Sequence, residues 1–64
     1  MKNRITHLRA ERSWTQADLA QRVSVSRQTI NAIETGKFDP SLPLAFRLAK
    51  LFGLSIEEVF VDDQ

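Results

Sequence analysis

Four hydroxyl residues, Thr15, Ser26, Ser41 and Ser55, each stand directly ahead of an apolar stripe with helical spacing. A side-chain oxygen at such a position accepts from the first free N–H groups of a helix and marks its start. With the stops at Gly36 and Gly53, these starts leave helices of about eight to eleven residues, too short to hold alone in water. The chain must therefore fold by packing short helices on one another.

Five helices follow from this punctuation. The first covers about Arg4 to Arg12, with Ile5 and Leu8 inward and Arg4, His7 and Arg12 toward water. Ser13-Trp14-Thr15 is a connector, with Trp14 assigned to the core. Thr15 and Asp18 approximate a capping box that opens the second helix, Gln16 to Arg22, burying Leu19, Ala20 and Val23. The third runs from Arg27 to about Thr35, turns Ile30 and Ile33 inward, and stops at a left-handed Gly36. Lys37-Phe38-Asp39-Pro40 is a loop. Ser41 opens the fourth helix, which tolerates Pro43 in its first turn and carries the stripe Leu44, Leu48, Leu51 and Phe52. Ser55 with Glu58 is a second capping box, opening a short fifth helix with Ile56, Val59 and Phe60. Val61 to Gln64 is a frayed tail or a short extended segment. Strand signals are nearly absent, so the fold class is all-α: a compact five-helix bundle. Sixty-four residues are too few to divide between two cores, which makes residues 1–64 one domain.

Composition excludes several functions. Without cysteine there is no disulfide framework, thiolate zinc site or cysteine nucleophile. A single histidine removes His–His metal pairs, and no cofactor is expected. No apolar run approaches the ~20 residues that span a bilayer, and none follows the basic start as a secretory leader requires. The expected location is the cytoplasm. Glu57 and Glu58 sit in a helix first turn, where carboxylates favour the dipole rather than form a catalytic pair. Ser26 and Ser55 are caps with no histidine near in sequence. An enzyme is not expected.

The charge is uneven. Residues 1–37 hold seven basic and three acidic side chains, a net +4, while residues 38–64 hold two and five, a net −3. Such a split fits a basic face for a polyanion, with the acidic end held away from it. The helix pair around Ser24 sharpens the point. Two short helices crossing steeply need a small residue at the crossing, which Ala20 supplies. Val23 and Val25 bracket the turn, and Ile30 and Ile33 seat the later helix on the earlier one. That leaves Arg27, Gln28, Asn31 and Ala32 facing outward, flanked by Thr29. Arginine can bond guanine, and glutamine or asparagine adenine, in bidentate fashion at base edges. Their place near the start of the helix suits insertion into a major groove.

These residues carry a resemblance. QADLAQRVSVSRQTINAIET, Gln16 to Thr35, is similar to the helix-turn-helix of the phage Cro/repressor (XRE) family, whose fold is called lambda repressor-like. The likeness continues through Glu34-Thr35-Gly36-Lys37, Asp39-Pro40-Ser41-Leu42, Leu48-Ala49, Phe52-Gly53 and Ser55-Ile56-Glu57-Glu58-Val59-Phe60, so it covers about residues 4–60. It implies a sequence-specific regulator of transcription that binds double-stranded DNA, most simply a homodimeric repressor on an inverted repeat. By the same resemblance, Arg27, Gln28, Asn31 and Ala32 read bases, Ala32 at most through a thymine methyl. Gln16 grips a phosphate with its side chain and helix N-terminus, and Thr29 and Lys37 contact the backbone. Lys37 has an alternative role beside the end of its helix, favouring the dipole. Arg9 and Glu34 resemble a structural ion pair. Ser24 stands where the family often has a left-handed glycine, and Trp14 where it has a smaller apolar residue. A chain this short leaves no room for an effector domain, so no small-molecule ligand is expected. The rival function is an antitoxin-like module that holds another protein.

A core this small gains from burying a further patch in a dimer. Leu54, Ile56 and Val59 suffice to close the monomer, which leaves Phe60 and Val61 as the expected symmetric contact, rimmed by Asp62 and Asp63.

Overall fold

The structure, a computed structural model, describes residues 1–61, and Asp62 and Asp63, expected at the rim of a dimer contact, lie outside them. Strand β1 (Lys2–Asn3) leads into α1 (Ile5–Glu11), α2 (Gln16–Arg22), α3 (Arg27–Glu34), α4 (Leu42–Phe52) and α5 (Ile56–Val59), and β2 (Phe60–Val61) follows. The five helices begin and end within a residue of their expected limits, the ordinary variation of fraying termini.

The helix starts are held by the expected side chains. Thr15 Oγ1 accepts from the Asp18 N–H at 3.0 Å, and the Asp18 carboxylate accepts in return from the Thr15 N–H at 2.9 Å. Ser26 and Ser41 accept from the N–H groups of Thr29 and Leu44. At α5, Glu58 reaches back and accepts from both the N–H and the hydroxyl of Ser55.

The helix ends share one geometry. Ser13, Ser24, Gly36 and Gly53 all have positive φ, at 56°, 62°, 78° and 70°. In each case the left-handed residue and its successor donate back to the last turn, as Ser24 does to the Gln21 carbonyl at 3.3 Å and Val25 to that of Ala20 at 3.0 Å. This closure satisfies carbonyls the helix leaves open. The resemblance pointed to the left-handed turn at Ser24. The left-handed Ser13, which closes α1 on the carbonyls of Ala10 and Arg9, was not expected from its connector.

Ile5, Leu19, Ile30, Ile33, Leu48 and Val59 are almost completely buried and anchor the core. Ala20 is also buried, small enough for α2 and α3 to approach closely. Trp14 is half-buried at the core edge, its ring 6.0 Å from that of Phe52. Arg22 lies over the Trp14 ring at 4.3 Å. Arg12 also departs from its water-facing assignment: although exposed, it donates to the Phe52 carbonyl at 3.1 Å and stacks 4.9 Å from the Phe52 ring. Guanidinium groups over aromatic faces shield them while keeping the charge hydrated.

The ends of the described chain differ from expectation. β1 and β2 pair antiparallel, with Lys2 opposite Val61 and Asn3 opposite Phe60. Two-residue strands have no periodicity to read in the sequence. Their pairing draws Phe60 inward to 6% exposure, so Phe60 completes its own core and is not a free surface contact. Leu54 and Ile56, expected to close that core, are only half-buried and pack at its edge.

Candidate nucleic-acid interface

α3 has two unlike sides. Inward, Ile30 and Ile33 lock it to the core, and the end of the helix is tied by polar contacts. Glu34, only 5% exposed, pairs with Arg9 at 2.8 Å, and a second Arg9 nitrogen reaches its other oxygen at 3.2 Å. That oxygen also accepts from Thr6 at 3.0 Å and from Gln16 at 3.0 Å. Arg9 spends its remaining nitrogen on the Trp14 carbonyl at 2.9 Å. Four donor groups from α1 and α2 thus converge on one carboxylate. Burial would raise the Glu34 carboxyl, but the hydrogen bonds from Arg9, Gln16 and Thr6 outweigh it and hold the group below its ordinary value. The expected ion pair is present, and it is the centre of a larger joint.

Asn3 adds to this joint from β1. Its amide donates to the Ile33 carbonyl at 2.8 Å, while its side-chain oxygen accepts from the Ile5 N–H at 3.2 Å. One residue therefore serves the start of α1 and the end of α3. Sequence reasoning did not single out Asn3 or Thr6. The i, i+3 spacing of Thr6 and Arg9 was an available signal, because it puts both on one face of α1.

Outward, the side is bare. Arg27, Gln28 and Asn31 are exposed and Ala32 is half-exposed. Among the described residues, the side chains of Arg27, Gln28 and Asn31 make no hydrogen bond or ion pair. Three planar polar groups on one face of a helix held from behind can form bidentate contacts without breaking internal bonds. Thr29 sits differently, half-buried with its hydroxyl 2.9 Å from that of Ser26. Lys37 is exposed just past Gly36, its own N–H bonded to the Ala32 carbonyl at 3.0 Å. Gln16 is half-buried, with one of its two amide hydrogens committed to Glu34.

Among the described residues, no group of three His, Asp or Glu side chains converges as a metal ion needs. None of their helices is long and apolar enough to cross a membrane.

Two helices meeting at a left-handed turn, the later one fixed at its back and polar on its free face, define a helix-turn-helix domain. Comparison with known proteins agrees: a family model described as helix-turn-helix matches residues 5–59. The chain is 56% identical to an uncharacterized HTH-type transcriptional regulator of Methanocaldococcus jannaschii, with both chains covered in full. It is 45% identical to another such regulator from Archaeoglobus fulgidus, covering all of this chain and 90% of that one. It is 34% identical to the cryptic phage CTXphi transcriptional repressor RstR of Vibrio cholerae, over 97% of this chain and 56% of that protein. The chain belongs to the XRE-type helix-turn-helix family. Family and relatives' names alike point to a DNA-binding regulator of transcription rather than an enzyme.

Proposed function

We propose that this regulator is a homodimeric repressor, one DNA-binding domain per chain, that occupies an inverted-repeat operator in cytoplasmic DNA. The observation that carries the reading is the bare outer face of α3 set against its tied inner face. A helix presented in this way can enter the major groove without reorganising. Arg27 is assigned to guanine, Gln28 and Asn31 to adenine, and Ala32 to a thymine methyl.

Phosphate contacts fix the register of such a helix. Lys37 is assigned to them as the cation. Gln16 joins with its second amide hydrogen, the first being held by Glu34, and Thr29 flanks the groove. Glu34 is then a positioning residue for Gln16 as well as a structural one. Repression is by occupancy, with RNA polymerase blocked or rerouted. The repressor reading draws support from the similarity to a protein named a phage transcriptional repressor.

Selection from random duplex DNA, read out by sequencing, is the test. The expected product is an inverted repeat with half-site centres one helical turn apart, ~34 Å along the axis. Recovery of single, non-palindromic sites would reject the homodimeric reading.

A further inference from the structure

Phe60 is sealed in the core, yet α4 and α5 still leave apolar surface uncovered. Leu42 is 63% exposed and Phe46 48% exposed, one helical turn apart on the same face of α4. Beside them lie two adjoining hollows. One is lined by Phe46, Ala49, Leu54 and Ile56, the other by Pro40, Leu42, Ala45 and Ile56. Ile56 belongs to both, so they form one trench between the two helices. Its floor is low where α4 has alanine, and its wall is high at Leu42 and Phe46.

We propose that this trench receives a second copy of the chain, packed about a two-fold axis. The proposal rests on the homodimeric reading above and says where that contact lies. Three observations favour a second copy over another partner. First, protruding side chains and the hollows that would take them lie on the same patch, the self-complementarity that a two-fold contact requires. Second, the rim carries Lys50 and Glu57, and neither forms an ion pair among the described residues. Because residue i meets j and j meets i across a two-fold, the axis sets Lys50 of each copy against Glu57 of the other. Third, the scale fits. A standard interface takes ~800 Å² per partner, about a fifth of the 4200 Å² surface of the described chain.

The position also suits DNA. Asp39 and Pro40, at one end of the trench, belong to the loop that leaves α3. Docking there places two α3 helices side by side, in a molecule whose longest dimension is 30 Å, close to the ~34 Å between successive major grooves on one face of a duplex.

Sedimentation of the full chain tests this, with circular dichroism confirming that each variant is folded. The unaltered chain is expected to be a dimer. Leu42→Glu and Phe46→Glu should each weaken dimerisation about thirtyfold or more, as loss of a central apolar anchor does. Lys50→Glu and Glu57→Lys should each weaken it about fivefold by setting like charges face to face, and combining them should restore it. A monomeric unaltered chain overturns the proposal, as does a dimer indifferent to Leu42→Glu or a charge swap that fails to restore it. Duplex binding separates this from the functional reading. A dimer with the expected variant behaviour that binds no DNA sinks the DNA reading and keeps the interface. DNA binding by a chain whose dimer survives Leu42→Glu does the reverse.

Discussion

The two sides of α3 are built on opposite rules. Behind it, one carboxylate accepts from Arg9, Thr6 and Gln16, Asn3 takes the Ile33 carbonyl, and two isoleucines fill the core. In front, Arg27, Gln28 and Asn31 touch nothing that restrains them. Stability is concentrated where no ligand comes, and freedom where one does. A helix that must offer polar groups to DNA cannot also use them to hold itself in place, so neighbouring elements hold it from behind.

Mutations on the two sides should therefore separate stability from recognition. The largest effect is expected behind the helix. Arg9→Ala leaves Glu34 buried without its charge partner, and losses of this kind run to ~3–5 kcal/mol. Thermal or denaturant unfolding measures it, and a loss below about 1 kcal/mol would show the joint to be replaceable. Next come the outer residues. Arg27→Ala or Gln28→Ala should cost ~1–3 kcal/mol of discrimination at particular base pairs and leave unfolding within about 0.5 kcal/mol. Competition between the selected operator and its single-base variants reads the first quantity. Equal loss on specific and random DNA would return these residues to the class of general contacts.

Acid should act on the inner side. The Glu34 carboxyl lies below its ordinary value in the folded chain, so its contribution is complete above that value and is lost as the pH falls through the depressed one. Unfolding free energy measured by denaturant from pH 7 down toward ~3 should fall, and Glu34→Gln should flatten that fall. A variant with the unaltered slope would assign acid sensitivity to Asp18 and Glu58, whose carboxyls the backbone N–H groups of Thr15 and Ser55 also hold low. The smallest effect is expected at the turn. Ser24 holds φ at 62°, a conformation that costs a non-glycine residue ~1–2 kcal/mol. Glycine removes that cost but makes the unfolded chain freer. Ser24→Gly should therefore raise stability by about 0.5–1 kcal/mol, seen as a higher Tm with base preference unchanged.

How much could be read beforehand follows from the range of each interaction. Thr15, Ser26 and Ser41 cap helices through groups three residues away, so local spacing finds them. The outer face of α3 was equally legible, because it is what remains once Ile30 and Ile33 are turned inward. Asn3 and Phe60 were not, since each takes its role from a partner at the far end of the chain. The donors to Glu34 lie between these cases: Arg9 came through the family resemblance, whereas Gln16 was assigned to phosphate with no sign of its bond to Glu34. Placing the symmetric contact on Phe60 failed for the same reason, because a residue with no visible partner in sequence reads as free.

The small sheet bears on how the chain comes to be folded. It joins residues 2 and 3 to residues 60 and 61, and the Arg4 N–H reaches the Val59 carbonyl at 2.8 Å. A ribosome makes the first of these partners long before the last. Until Phe60 emerges, Asn3 lacks its strand partner and the core around Ile5 stays open. The chain should consequently complete its folding only after synthesis has passed residue 61, in a single cooperative step rather than helix by helix.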